Sequence, residues 1–90
     1  MLEEKIRICN PLGLHARAAA QLVRLASSFK SKIKLRRTDN AVVAEAKSIL
    51  SVLTLAASKG VELNIEVEGS DEIEAMQAIK EIFAKGFGEI

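Results

Sequence analysis

Polar and apolar residues alternate in four short stretches of the chain, and this two-residue period predicts β-strands with one buried face. The most regular stretch is 61–68, where four apolar residues alternate with four polar ones. The other three stretches are residues 5–9, 31–37 and 41–46. Residues 38–40, Thr-Asp-Asn, have the composition of a turn, so we expect strands 31–37 and 41–46 to form a hairpin.

Apolar residues recur at the helical spacing of three or four in three further stretches, 16–29, 48–55 and 71–85. Ser48 begins the second stretch and Ser70 precedes the third, and both are expected to cap their helices. The residues expected on the buried faces of the first and third helices are Ala19, Leu22, Val23, Ala26, Phe29, Ile73, Met76, Ile79 and Phe83. The order β-α-β-β-α-β-α predicts a single α+β domain over residues 1–90, with a layer of helices on one sheet.

Composition excludes several classes of function. A formal charge of +1 and the absence of Trp and Tyr argue against a nucleic-acid-binding surface. Cys9 is the only cysteine, so we expect a buried strand residue rather than a disulfide or a metal site. No apolar run approaches the roughly 20 residues that span a bilayer, and the first residues lack a signal-peptide pattern. We therefore expect a cytoplasmic protein without membrane insertion, metal or cofactor.

His15, the only histidine, lies where a loop becomes the first predicted helix. The first N–H groups of a helix lack intrahelical partners and carry a partial positive charge, so this position attracts phosphate. Arg17 follows two residues later and supplies a guanidinium suited to phosphate oxygens. An imidazole nucleophile beside such an anion site indicates phosphoryl transfer through phosphohistidine. From residue types alone, a plain surface histidine or a weak helix cap is the more frequent explanation.

Two other features have both a functional and a purely structural explanation. Ser48 is either only a helix cap or also a regulatory phosphorylation site. The predicted helix 48–55 has more apolar residues than one face of two turns can bury. Some of them therefore either form an exposed docking patch near His15 or all belong to the core.

These motifs, in this order, resemble the HPr family, the histidine-containing phosphocarriers of the bacterial phosphotransferase system. Residues 13–17, Gly-Leu-His-Ala-Arg, are similar to its active-site motif. Residues 47–50, Lys-Ser-Ile-Leu, followed by 52–55, Val-Leu-Thr-Leu, are similar to its regulatory-serine segment. The likeness extends along essentially the whole chain, to residues 86–89, Gly-Phe-Gly-Glu.

The resemblance implies an open-faced β-sandwich, with a four-stranded antiparallel sheet in the order 1-4-2-3 and three helices on one face. It implies that enzyme I, charged by phosphoenolpyruvate, phosphorylates the δ nitrogen of His15, that Arg17 steadies the phosphoryl group, and that an enzyme IIA domain receives it. The chain is then a monomeric phosphoryl carrier rather than a self-sufficient enzyme. A serine kinase/phosphorylase acting on Ser48 and a transcription regulator are further implied partners. The implied partner-binding residues are Ala20, Arg24, Ile49, Leu50 and Leu53.

Two departures from the family pattern bear on function. Ala18 replaces a proline that commonly follows the arginine, which leaves one more N–H near the phosphate, so we expect an altered phosphohistidine lifetime. Ser51 replaces a glycine of many regulated members, which weakens the case for Ser48 phosphorylation. An alternative function is a regulatory docking module of the same fold, including the nitrogen-related branch, switched at His15 or Ser48.

Overall fold

A computed structural model of the protein describes residues 1–89. The strands are β1 (Leu2–Arg7), β2 (Lys32–Arg37), β3 (Val43–Glu45) and β4 (Glu62–Glu68). The helices are α1 (Ala16–Ser27), α2 (Ile49–Thr54) and α3 (Glu72–Ala84), followed by a 3-10 turn at Gly86–Gly88. Within these residues no helix is both long and apolar enough to cross a membrane.

The four strands form one antiparallel sheet in the order β1-β4-β2-β3, as expected. The alternation in the sequence correctly predicts the covered face of the sheet: the apolar residues Leu63, Ile65 and Val67 of β4 are fully buried. The opposite face is polar and carries cross-strand pairs such as Arg36 with Glu66. One hydrophobic core fills the space between the apolar sheet face and the helices.

Three expectations about individual residues are wrong. Ile73 is 62% exposed, because at 100° per residue it lies roughly 100° from the middle of the α3 stripe formed by the buried residues of that helix. Ser70 does not cap α3, because the helix begins at Glu72 and Asp71 takes the N-cap position. Cys9 lies beyond the end of β1 and is half-buried, with its thiol donating to the Phe83 carbonyl at 3.4 Å.

Asp71 joins the start of α3 to the chain segment before β2. Its carboxylate accepts hydrogen bonds from the Ser31 hydroxyl, from the Lys30 N–H at 2.8 Å and from the Ser31 N–H at 2.9 Å. These donors, the Ser31 hydroxyl foremost, lower the pKa of Asp71 from 3.8. A carboxyl with a lowered folded-state pKa stabilises the fold above its unfolded value, and this contribution is lost as pH falls through the folded value.

We therefore expect Asp71→Asn to have a lower Tm than wild type near neutral pH, and the difference to shrink as pH falls below about 3.8. Thermal unfolding followed by circular dichroism across this range measures both effects. Glu74→Gln removes an exposed carboxylate from the same helix and is the matched control. An equal Tm loss at acidic and neutral pH would contradict the assignment of the stability to the ionised carboxylate.

Candidate functional site

His15 occupies the N-cap of α1, as the sequence predicts. Its backbone is extended (φ −73°, ψ 177°), and its carbonyl accepts the Ala19 N–H at 2.8 Å. The imidazole makes no capping hydrogen bond, and 24% of the side chain is exposed. The ring therefore lies beside the free N–H groups of the first turn without occupying them, which leaves room for an anion there.

The loop before His15 is fixed by hydrogen bonds on two sides. The amide nitrogen of Asn10, which is buried, donates to the Gly13 carbonyl at 2.8 Å, and the Gly13 N–H donates back to the Asn10 carbonyl at 3.2 Å. The Leu14 N–H donates to the Ala57 carbonyl at 2.8 Å, just beyond the end of α2. Gly13 has φ +64°, a conformation that glycine adopts without steric cost. These contacts hold the position from which the imidazole projects.

Glu89 is a site residue that sequence reasoning missed. Its Oε2 atom contacts Nε2 of His15, and its Oε1 atom accepts from the Asn10 amide at 3.2 Å and from the Leu12 N–H at 3.3 Å. The hydrogen bond with His15 is the main cause that lowers the pKa of Glu89, with burial opposing it. The only signal in the sequence is the likeness of residues 86–89 to the family, because nothing in residue spacing pairs positions 15 and 89.

The contact with Glu89 distinguishes the two ring nitrogens of His15. A carboxylate accepts hydrogen bonds, so the Nε2 atom facing it is the one that carries a proton. In a neutral imidazole the other nitrogen, Nδ1, then holds the lone pair. Within residues 1–89, Nδ1 has no hydrogen-bond partner, so that lone pair is available for nucleophilic attack.

Arg17 lies in the first turn of α1, two residues after the histidine, with an exposed side chain. No residue of the described chain forms a hydrogen bond or ion pair with its guanidinium. An unpaired guanidinium on the same helix end adds a second positive group to the N–H donors. Ala18 follows it and is fully buried, and α1 continues through this position without a break.

Helix α2 exposes part of its apolar surface and buries the rest. Val52 and Leu55 belong to the core. The α2 patch, which we define as Ile49, Leu50 and Leu53, remains exposed at 40%, 75% and 38%. Residues three or four apart on a helix are neighbours, so these side chains form a contiguous surface. Helices α1 and α2 are in contact, and α1 carries the other two predicted partner-binding residues, half-buried Ala20 and exposed Arg24.

Ser48 is the N-cap of α2, as predicted. Its hydroxyl accepts the Ser51 N–H at 3.3 Å, and the residue is exposed. The Ser51 hydroxyl accepts the Glu45 N–H at 2.9 Å and so ties the end of β3 to the helix. Capping accounts for Ser48 in the structure, and phosphorylation of its hydroxyl stays a prediction.

Comparison with known proteins agrees with this geometry. The family model for the PTS HPr component phosphorylation site matches residues 2–85. HPr of Cupriavidus necator is 46% identical over 89 residues, which cover 99% of this chain and 98% of that protein. The phosphocarrier protein NPr of Klebsiella oxytoca is 38% identical over 88 residues, covering 98% and 97%.

Solved structures give the same assignment. HPr of Thermoanaerobacter tengcongensis, determined by crystallography, has a TM-score of 0.92 to this chain at 39% identity, covering 100% of this chain and 99% of that one. HPr from the same organism also crystallised as a dimer, with a TM-score of 0.77 over 99% of this chain and 100% of that one. The chain therefore belongs to the HPr family of phosphocarrier proteins of the bacterial phosphotransferase system.

Proposed function

We propose that this protein accepts a phosphoryl group on Nδ1 of His15 from phosphorylated enzyme I and passes it to an enzyme IIA domain. The observation that carries the proposal is an imidazole at the N-terminus of α1 that takes no part in capping and has its Nε2 atom held by Glu89. This leaves Nδ1 as the nucleophile beside a helix end that attracts anions. The two partners are those implied by family membership.

The transfer step uses few groups of this chain. The Nδ1 lone pair forms the N–P bond while the bond between phosphorus and the donor breaks, and the donor keeps that electron pair. The free N–H groups of the first α1 turn and the Arg17 guanidinium are the donors for the phosphoryl oxygens. Ala18 contributes one such N–H where proline would contribute none. Because the site on this chain is small and lies at the surface, we propose that the partner supplies the other catalytic groups in each transfer.

The α2 patch, with Ala20 and Arg24, is the proposed docking surface for both partners. Its exposed apolar side chains lie on α2, and Ala57, just beyond the end of that helix, accepts a hydrogen bond from the loop that carries His15. We propose that a partner that covers the patch also reaches the imidazole. Burial of such exposed apolar anchors is a common source of binding energy at protein interfaces.

Leu50→Glu should raise the KM of enzyme I for this protein by roughly tenfold, because it places a charge in the α2 patch where the partner removes water. The fold should tolerate the change, since Leu50 is 75% exposed. The control is Ile73→Glu, which introduces the same charge at a 62% exposed isoleucine on α3, outside the patch. Initial rates of phosphorylation at varied carrier concentration measure KM, and equal values for both variants would contradict a docking role.

Labelling tests the proposed function. Enzyme I and radiolabelled phosphoenolpyruvate should place label on the protein that is lost in acid and kept in base, and added enzyme IIA should remove it. Digestion should locate the label in the peptide that contains His15. Absence of acid-labile label would overturn the proposal.

The alternative function is a docking module of the same fold that is switched by phosphorylation. The exposure of Ser48 favours this alternative. The Ser51 hydroxyl accepts a hydrogen bond from the Glu45 N–H, so the serine at position 51 has a structural role. Acid-stable label in the peptide containing Ser48, formed by a serine kinase and ATP, would support that alternative. The similarity to both HPr and NPr fits the sugar-uptake branch and the nitrogen-related branch alike. A cytoplasmic location, expected from the composition, and a monomeric state remain predictions.

A further inference from the structure

We propose that Glu89 is a positioning residue for phosphoryl transfer, which keeps the proton of His15 on Nε2 and so makes Nδ1 the nucleophile. The inference rests on the proposed function and deepens it. It starts from one contact between the two ends of the chain, in which the Glu89 carboxylate meets the Nε2 atom of His15 across 74 residues of sequence.

The C-terminal turn fixes where this carboxylate lies. Gly86 follows α3 with φ +61°, and Phe87 continues with φ +54°, a conformation that is costly for a residue with a side chain. Phe87 is buried and packs edge-on against Phe83 with ring centres 5.0 Å apart. The Glu89 N–H then donates to the Gly86 carbonyl at 2.9 Å. Core packing of Phe87 holds the turn in its unusual conformation, so the fold determines the approach of Glu89 to the imidazole.

The second carboxylate oxygen is held independently of His15. It accepts from the Asn10 amide and the Leu12 N–H, both in the loop that carries the histidine. Only 9% of the Glu89 side chain is exposed. The carboxylate therefore has fixed partners on one oxygen and presents the other to the ring, which is the arrangement expected of a group that orients a histidine.

This arrangement has two consequences for the transfer step. Before transfer, a carboxylate acceptor at Nε2 selects the tautomer with the lone pair on Nδ1. When Nδ1 forms its bond to phosphorus and the donor leaves with its electrons, the ring gains one positive charge while its proton stays on Nε2. The carboxylate lies beside that proton and stabilises the charge, as the buried Asp of a catalytic triad does for its imidazolium. Delivery to the acceptor reverses both changes.

Glu89→Gln tests the proposal, because an amide can donate to a bare Nε2 and so favours the other tautomer. Imidazole nitrogen chemical shifts of the neutral ring should show that the ratio of the Nε2–H to the Nδ1–H tautomer falls by roughly fivefold or more. A change of this size corresponds to the net free energy of about one ordinary hydrogen bond. The initial rate of labelling by enzyme I should fall about tenfold. Glu89→Asp should recover part of both effects, because it retains the carboxylate.

Glu81→Gln is the matched control, since it removes an exposed carboxylate on α3 that, within residues 1–89, pairs only with Lys85 at the C-cap. An unchanged tautomer ratio in Glu89→Gln would overturn the proposal whatever the labelling rate. A changed ratio with an unchanged rate would overturn the role in transfer. The spectroscopic measurement needs no partner protein, so failure of wild type to accept label would count against the proposed function and not against this contact.

Discussion

His15→Ala should carry no acid-labile label after incubation with enzyme I and phosphoenolpyruvate. His15 is the only histidine, so the substitution removes every imidazole from the protein. Arg17 and the first-turn N–H groups stay in place, but they bind anions and cannot form a covalent bond to phosphorus. Loss should therefore be complete at every donor concentration, unlike the partial loss expected from a weakened docking surface.

The substitution should leave the fold intact, which makes the loss interpretable. The His15 side chain takes no part in capping α1, and the carbonyl that accepts the Ala19 N–H is still present in the variant. The Glu89 carboxylate keeps its hydrogen bonds to Asn10 and Leu12. Circular dichroism should show a Tm close to that of wild type. Acid-labile label that persists in a folded His15→Ala protein would mean that another residue carries the phosphoryl group.

The parts of the fold that depend on local periodicity were predictable from sequence. The alternation over residues 61–68 predicted β4 and its buried face, because successive side chains of a strand point to opposite faces and only one of the two sets is apolar. The start of α1 at Ala16 and the cap at Ser48 followed from helix-end chemistry. The strand order came from the family resemblance, since alternation alone does not say which strands are neighbours.

Element ends were less predictable where side chains have competing partners. Asp71 looked like a residue inside a helix capped by Ser70, but its carboxylate binds Lys30 and Ser31, which are about 40 residues away in sequence. Strand β3 is shorter than the predicted 41–46, because the Asn40 side chain accepts the Val42 N–H and Ala41 has φ +60°. Such contacts depend on which segments the finished fold brings together.

The residues of the candidate site also differ in whether local sequence or the finished fold determines their role. His15 and Arg17 were predictable, because both lie within one turn of a helix start and their chemistry depends on that local position. Glu89 was not, because its contact with His15 depends on the packing of Phe87 and on the course of the C-terminal turn. The sequence did not decide whether the α2 patch is exposed, since an apolar side chain on a short helix can lie either in the core or on the surface.

Gly13→Ala should destabilise the protein by about 3 kcal/mol, the sum of two costs. A residue with a side chain at φ +64° costs roughly 1–2 kcal/mol. Its Cβ would also lie 2.5 Å from the Ala57 carbonyl oxygen and 2.7 Å from the Ser58 Cα, and crowding of this kind costs about 1–3 kcal/mol. For a domain of this size, Tm should fall by roughly 15 °C. Thermal or urea unfolding monitored by circular dichroism measures the loss.

Gly60→Ala separates the two costs. Gly60 has φ +92°, but a Cβ there has no atom within 4 Å, so this variant should show the conformational cost of roughly 1–2 kcal/mol alone. Equal losses of stability in the two variants would contradict a steric role for the close approach of Gly13 to residues 57 and 58.

The close approach at Gly13 also connects stability to function. The clash is relieved when the loop and residues 57 and 58 move apart, and this lengthens the 2.8 Å hydrogen bond from the Leu14 N–H to the Ala57 carbonyl. That bond joins the segment carrying His15 to the segment just after α2, so the imidazole and the α2 patch would no longer keep their relative positions. Gly13→Ala should therefore be labelled more slowly than Gly60→Ala even at a temperature where both are fully folded. Identical labelling rates under those conditions would show that transfer does not depend on the relative position of the His15 loop and the α2 patch.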